Sequence, residues 1–334
     1  MNYIGSKYKL LSWIDEVMKK TVGQDLSQKV FCDLFAGTGI VGRTFKKSVK
    51  KVISNDLEPY SYVLNKNYIE NHEELADKES FIEALNAVPL RKDGFIYNHY
   101  CMGSESGRQY FKDENGQKID AMRMQIEEWK KCGSIDDRMY YFLLASLLES
   151  ADKVANTASV YGAFLKHIKK SADKQMVLEP AHFELNSNSH TVYQADSNAL
   201  IQEIEGDILY LDPPYNHREY GANYHLLNTI ALYDTFVPKG KSGLRAYQKS
   251  RYCKKKEVHA AFDALIKNAR FRYIFLSYNN EGLMSEEDVK TIMSNYGNYR
   301  LETILYQRFK ADKTENRNHK ADTTYEYLHI LEKY

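Results

Sequence analysis

Asp212-Pro213-Pro214-Tyr215 follows the apolar run Ile208-Leu209-Tyr210-Leu211 and leads into Asn216. A buried strand that ends this way offers a carboxylate, a backbone carbonyl and a flat ring at one tip. Each proline lacks an N–H and has a fixed φ, so the pair stops the strand and holds the turn rigid. Such a tip suits a planar base that carries an amino group. That nitrogen is a poor nucleophile, because its lone pair is delocalised into the ring. The Asp212 carboxylate and the Pro213 carbonyl can each accept one N–H and draw the nitrogen toward tetrahedral geometry, freeing the lone pair for an electrophile, while Tyr215 stacks on the base. The same four residues also make an ordinary strand-terminating turn, with Tyr215 covering the core.

A second motif bears on the choice. In the stretch from Val30 to Gly42 a β-prone run reaches a glycine turn and then a helix carrying Arg43, Phe45 and Lys46; Gly37, Gly39 and Gly42 satisfy G-x-G-x-x-G. After Val52-Ile53-Ser54 comes Asp56, where an acid binds ribose hydroxyls. This is the signature of a nucleoside pocket and does not name the nucleoside. A nicotinamide or flavin dehydrogenase fits the glycines and the acid too. Against it stand Asp33 and Phe35, because a dinucleotide strand runs apolar into its first glycine. Here an acid four residues before Gly37 can meet a ligand's ammonium group. Nothing downstream reads as a nicotinamide or hydroxy-acid site.

Together, Asp33-Leu34-Phe35-Ala36-Gly37-Thr38-Gly39 and the later Asp212-Pro213-Pro214-Tyr215 resemble the amino-directed DNA methyltransferases that use S-adenosylmethionine, specifically the Dam-like, D12 class adenine-N6 enzymes. Asn2-Tyr3-Ile4-Gly5-Ser6-Lys7 is similar to their opening motif. The order of opening motif, glycine motif, long insertion and Asp-Pro-Pro-Tyr matches the alpha subgroup, and Asn216 to Leu227 is similar to its restriction-associated members. The resemblance implies a mostly parallel α/β sheet of the Rossmann-like methyltransferase type with helices on both faces. Residues 1–75 and 190–334 would form the catalytic domain, and 76–189 an inserted, largely helical target-recognition region. It also implies S-adenosylmethionine as methyl donor, with Tyr3 in the opening motif beside its methionine end, Asp33, Phe35, Gly37 and Gly39 around the methionine portion, Lys7 at the carboxylate and Asp56 at the ribose. Asp196 and Ser197 fall at the position that contacts the cofactor adenine, where an acid also commonly caps a helix. The implied reaction is methylation of N6 on an adenine flipped out of a short duplex DNA site. The implied setting is restriction–modification, with a cognate endonuclease acting on the same site outside any required complex. An RNA or protein amino-group methyltransferase, a cytosine-N4 enzyme and a noncatalytic DNA-binding relative are the alternatives.

The net charge of +1 in 334 residues argues against a polyanion partner until its distribution is examined. From Lys239 to Lys256 lie eight Lys or Arg and no acid, interleaved with Tyr247 and Tyr252. A flexible basic loop there suits phosphate contact, with Arg218, Lys249, Arg251, Lys254, Lys255 and Lys256 as the DNA-binding candidates; it also reads as a solvated loop. Arg308, Lys310, Lys313, Arg317 and Lys320 form a second basic stretch. Cys32, Cys101, Cys132 and Cys253 show no paired framework or metal-ligand spacing, which points to a reduced, cytoplasmic protein without structural zinc. No apolar run approaches membrane-spanning length, so no membrane partner is expected.

Periodicity predicts helices over Leu10–Lys20, Ile40–Lys47, Asp136–Ala155, with Asp136 as cap, and Glu286–Asn295. Strands are expected over Lys29–Asp33, Arg272–Tyr278 and Thr324–Leu331, and Tyr60–Leu90 reads as polar and helical. Gly94 to Gly116 is rich in Gly, Tyr, Ser and Asn. Its Tyr97, Tyr100, Arg108, Gln109 and Tyr110 can read base edges, and a disordered tip has the same composition.

Overall fold

The computed structural model describes residues 5–307 and 323–334. Tyr3 and the second basic stretch, Arg308 to Lys320, lie outside the described residues. In chain order the helices are α1 (Leu11–Val22), α2 (Ile40–Phe45), α3 (Pro59–Asn65), α4 (Lys78–Ala87), α5 (Phe95–Tyr100) and α6 (Asp113–Lys131). They continue with α7 (Asp137–Val154), α8 (Ser197–Leu200), α9 (Tyr220–Asn223), α10 (His225–Leu232), α11 (Val258–Asn268) and α12 (Glu286–Ser294). The strands are β1 (Val30–Asp33), β2 (Lys51–Asn55), β3 (Thr191–Tyr193), β4 (Glu205–Leu211), β5 (Arg270–Asn279), β6 (Gly297–Gln307) and β7 (Thr323–Lys333).

These elements fall into two compact units. One comprises the described residues of Ser6–Leu57, Asn188–Glu219 and Lys249–Tyr334, the other Glu58–Ser187 and Tyr220–Gln248. The first holds a seven-stranded sheet in the order β3-β2-β1-β4-β5-β7-β6. The β3-β2-β1-β4-β5 pairings are parallel, and only β7 runs against its neighbours β5 and β6. Parallel strands covered on both faces read as nearly continuous apolar runs, as Ile208 to Leu211 does. Alternation sends Cys32, Leu209, Ile274 and Leu331 into a core shared with Leu200 of α8, Phe262 and Leu265 of α11, and Val289 and Met293 of α12. On the opposite face Phe31 stacks on Phe45 of α2 with ring centroids 4.7 Å apart. The expected Rossmann-like sheet with helices on both faces is thus present.

The second unit is helical and has its own core, to which α3, α6, α7 and α10 contribute Tyr60, Ile119, Phe142, Leu147 and Leu227. Asp136 caps α7 as anticipated, its Oδ1 accepting from Met139 N at 2.8 Å. Met139, Phe142, Leu143, Leu144, Ala145, Leu147 and Leu148 of α7 are all buried, a broad apolar face. Gly94 to Gly116 is no disordered tip. It contains α5 and the start of α6, and Tyr100 and Tyr110 are fully buried. Those two rings therefore form core rather than read base edges, because a Tyr can bury its ring when its hydroxyl finds a carbonyl. Among the described residues no helix is long and apolar enough to cross a membrane.

Candidate active site

The strand order reverses between β1 and β4, and in open α/β sheets ligands bind beyond the strand ends at such a switch point. Asp33 lies opposite Tyr210 across this junction. By the two-residue period Asp212 shares its face, so both tips carry an acid on the same side.

Asp212 is not alone there. Lys7 Nζ sits 2.9 Å from Asp212 Oδ1, with side-chain exposures of 6% and 19%. The ammonium also lies 5.8 Å from the centre of the Tyr215 ring. Burial would lower the Lys7 pKa, but the acids Asp212 and Glu326 help to hold it well above its ordinary value, so the lysine is charged at neutral pH. Burial pushes the Asp212 carboxyl up, opposed by that lysine. Lys7, expected at a cofactor carboxylate, is thus engaged with the acid of the Asp-Pro-Pro-Tyr tip. Pro213 is buried, and Tyr215 is held by the bond from Leu283 N to its carbonyl at 2.9 Å and by an edge contact with Tyr278 at 6.1 Å.

Asp33 is 1% exposed, and its Oδ2 accepts from Gly42 N at 3.2 Å. Its other oxygen, Oδ1, is buried with no hydrogen-bond partner. Burial pushes this carboxyl up to about 8, only partly offset by the Gly42 N–H, with the charges of Asp212 and Asp56 adding to the rise. An orphaned carboxylate oxygen in the interior is costly unless a donor arrives, and a ligand ammonium is such a donor.

The glycine turn has the backbone that its composition calls for. Gly37 and Gly39 have φ of 53° and 75°, the left-handed region that side chains disfavour. Asp56 Oδ2 accepts from Gly37 N at 2.7 Å, tying the acid after β2 to that turn. Phe35 packs edge-on to Tyr252 at 5.1 Å. Asp196 is exposed and caps α8, accepting from Ala199 N at 3.0 Å, while Ser197 beside it is buried. The capping alternative for Asp196 is therefore realised at that oxygen.

Two contributors were not anticipated. Asn55, 2% exposed, donates through Nδ2 to Leu34 O and Ala195 O, both at 3.1 Å, and accepts from Ala195 N at 3.0 Å, so one amide joins the tips of β1, β2 and β3. Its only sequence signal is an Asn closing a β-branched run. Glu326, 8% exposed in β7, faces Lys7 as a second acid; an acid between two tyrosines in a strand marks it.

The basic run is not one flexible loop. Lys239–Gln248 belongs to the helical unit and Lys249–Lys256 to the sheet unit. Arg218, Lys249, Arg251, Lys255 and Lys256 are exposed, whereas Lys254 pairs with Glu257 at 3.0 Å. His217 Nδ1 lies 3.0 Å from Cys253 O, tying the stretch after the Asp-Pro-Pro-Tyr tip to this basic segment.

A family model described as D12 class N6 adenine-specific DNA methyltransferase matches residues 3–292. The chain belongs to this family. As a D12 class methyltransferase it is 65% identical over 333 residues to the Type II methyltransferase M.NlaIII of Neisseria lactamica, a match covering 100% of this chain and 99% of that one. It is 40% identical over 313 residues to the Type II methyltransferase M.CviAII of Paramecium bursaria Chlorella virus 1, covering 93% of each. It is also 40% identical over 349 residues to the Type II methyltransferase M.FokI of Planomicrobium okeanokoites, covering all of this chain and 53% of that protein. The D12 class methyltransferase is thus an adenine-specific enzyme acting on DNA, with a strand tip whose acid is already paired to a buried lysine.

Proposed function

We propose that this enzyme transfers a methyl group from S-adenosylmethionine to N6 of an adenine flipped out of a short duplex site, and that it protects DNA in a restriction–modification system. The observation that carries the site assignment is the buried Lys7–Asp212 pair at the tip of β4, on the same face as the orphaned Asp33 oxygen at the tip of β1. S-adenosylmethionine, when bound, supplies a methyl group on a positively charged sulfur.

The residues present fit that cofactor. Asp33 Oδ1 needs a donor, which the methionine ammonium provides, and the left-handed Gly37 and Gly39 let backbone approach closely. Asp56 lies against this turn, within the part of the fold where an acid takes ribose hydroxyls. Asp196 and Ser197 are proposed for the adenine end. Tyr3 is proposed from the family pattern alone.

At the base, Asp212 and the Pro213 carbonyl accept the two amino N–H groups, and Tyr215 offers its ring for stacking. Lys7 holds the Asp212 carboxylate ionised and oriented, leaving its second oxygen for the amino group. This is stabilisation by fixed charges where charge develops on the nitrogen. An adenine stacked in duplex cannot reach the tip, so the base must be extruded. Exposed Arg218, Lys249, Arg251, Lys255 and Lys256 are proposed to contact phosphates, with Lys254 supporting them from its pair with Glu257. Residues 76–189 are proposed to supply target recognition. The Type II names of the relatives support the restriction–modification role, a cognate endonuclease with the same site, and action in the cytoplasm where the chromosome lies.

Incubation with labelled S-adenosylmethionine and unmethylated genomic DNA, followed by modification-sensitive sequencing, tests the reading. N6-methyladenine within one recurring short motif is the expected result; labelled protein or RNA with unlabelled DNA would refute it. Asp212→Ala should abolish transfer while leaving cofactor affinity within a few-fold of wild type. Turnover retained in that variant would remove the carboxylate from the chemistry.

A further inference from the structure

The segment between Asp234 and Glu257 contains no acidic residue, and its tip is built in an unusual way. Lys239 and Leu244 close a turn by reciprocal backbone bonds of 2.9 and 2.8 Å. Within it, the carbonyls of Gly240, Lys241 and Gly243 accept hydrogen bonds from side chains of the helical unit. Arg108 Nη2 donates to Gly240 O at 3.0 Å and Arg108 Nε to Lys241 O at 3.2 Å. Tyr100 Oη donates to Gly243 O at 2.7 Å, while Tyr110 Oη, which lies 2.7 Å from Tyr161 O, is 3.1 Å from Ser242 O. The third nitrogen of Arg108 donates to His99 O at 3.1 Å, which anchors the guanidinium to the end of α5. Nothing in this arrangement is loose. Gly243 has φ of 71°, and a Cβ there would come within 2.7 Å of Arg108 Nε and 2.8 Å of a Tyr100 ring carbon.

With the carbonyls engaged by these side chains, the turn has donors to spare. The N–H groups of Gly240, Lys241 and Ser242 donate to no acceptor among the described residues, and Lys239, Gly240 and Lys241 are exposed. The nearest acid in the chain, Asp234, is bound by Arg245 through two bonds of 2.9 Å. Arg108 itself is bonded to carbonyls, which leave its positive charge uncancelled. Successive N–H groups without an acceptor, on a turn flanked by cations, are what an anion-binding nest is made of.

We propose that the Lys239–Gly243 turn is a preformed nest for a phosphate of the DNA backbone, and that Arg108 is the positioning residue that builds it. The proposal rests on the DNA methyltransferase reading and adds to it a contact point and the residue that shapes it. A lysine cannot replace Arg108, because only the planar guanidinium presents several donors in a fixed fork to three carbonyls at once.

The test is a salt titration of duplex binding, using DNA that the wild-type enzyme methylates, together with steady-state kinetics and cofactor affinity. Each phosphate contact contributes about 0.9 to the slope of log K against log salt. Lys239→Gln/Lys241→Gln, at exposed positions, should reduce the slope by about 1–2 and raise KM for DNA several-fold, with kcat and cofactor affinity unchanged. Arg108→Lys keeps the formal charge and should still lose slope, because the geometry is gone. A wild-type slope in either variant overturns the proposal. Should Arg108→Lys fail to fold, the double lysine variant and Gly243→Ala, which displaces the clamp, decide it. A wild-type enzyme that neither binds nor methylates duplex would bring down the DNA reading itself, whereas a variant with unchanged slope brings down only the nest.

Discussion

Lys7 and Asp212 set each other's charge, and this makes the pH profile a direct probe of the site. Burial raises the Asp212 pKa, and the lysine ammonium restrains the rise. In Lys7→Gln the restraint is gone, so the carboxylate forms only at higher pH. The acidic limb of kcat against pH should move upward in that variant; a limb that stays in place would show that the lysine does not tune the acid. Asp33 offers the complementary case. Its carboxyl is raised to about 8 by burial, so much of it is protonated at pH 7 in the protein alone. Pairing with an ammonium favours the carboxylate, and cofactor binding should therefore release a proton and tighten as pH rises toward 8. Calorimetry in buffers of different ionisation enthalpy measures the release directly, and Asp33→Asn should abolish it.

Strand tips are only as well placed as the bonds between them. Asn55 satisfies backbone groups of Leu34 and Ala195 at once, and removing its amide leaves buried partners unpaired. Asn55→Ala should cost about 1–3 kcal/mol of stability and weaken cofactor binding, because the tips of β1, β2 and β3 lose their common tie. Asp136→Ala is the natural contrast. Loss of that cap should cost about 1 kcal/mol while leaving cofactor affinity unchanged, since α7 lies in the helical unit and the proposed cofactor residues in the sheet unit. Urea denaturation and cofactor titration of the two variants separate an element that holds the site from one that only holds its own core.

Across the whole molecule, buried titratable groups of opposite kinds act on stability in opposite directions. His225 and His329 are lowered to about 4 by burial. Their share of stability is present above pH 6.5 and is lost as pH falls toward 4, where only the unfolded chain takes up the proton readily. Asp33 and Asp120, raised to about 8 and about 6 mainly by burial, work the other way. Their share is present below the ordinary carboxyl pKa and is lost as pH rises through those values. His225→Gln leaves the carboxyls less opposed, so its stability relative to wild type should fall steadily between pH 4.5 and 6.5. Urea midpoints across that range measure the difference, and a difference independent of pH would mean that His225 carries no such linkage.

Local chemistry was enough to determine the motifs. Two prolines after an apolar run must end a strand, and glycines that need positive φ must make the turn after β1, so the tips at Asp33 and Asp212 were legible from residue types and spacing. The parallel sheet and the Asp136 cap followed from periodicity and from the family pattern. What pairs with what across long separations is decided by packing, and no local pattern carries it. That is why the partnership of Lys7 with Asp212, the Asn55 tie and the proximity of Glu326 emerge only in the folded chain. For the same reason a Tyr-rich stretch that read as a surface became core: Tyr100 and Tyr110 bury their rings once the distant carbonyls of Gly243 and Tyr161 satisfy their hydroxyls. Sequence determined which groups are available for methyl transfer, and tertiary structure decided which of them meet.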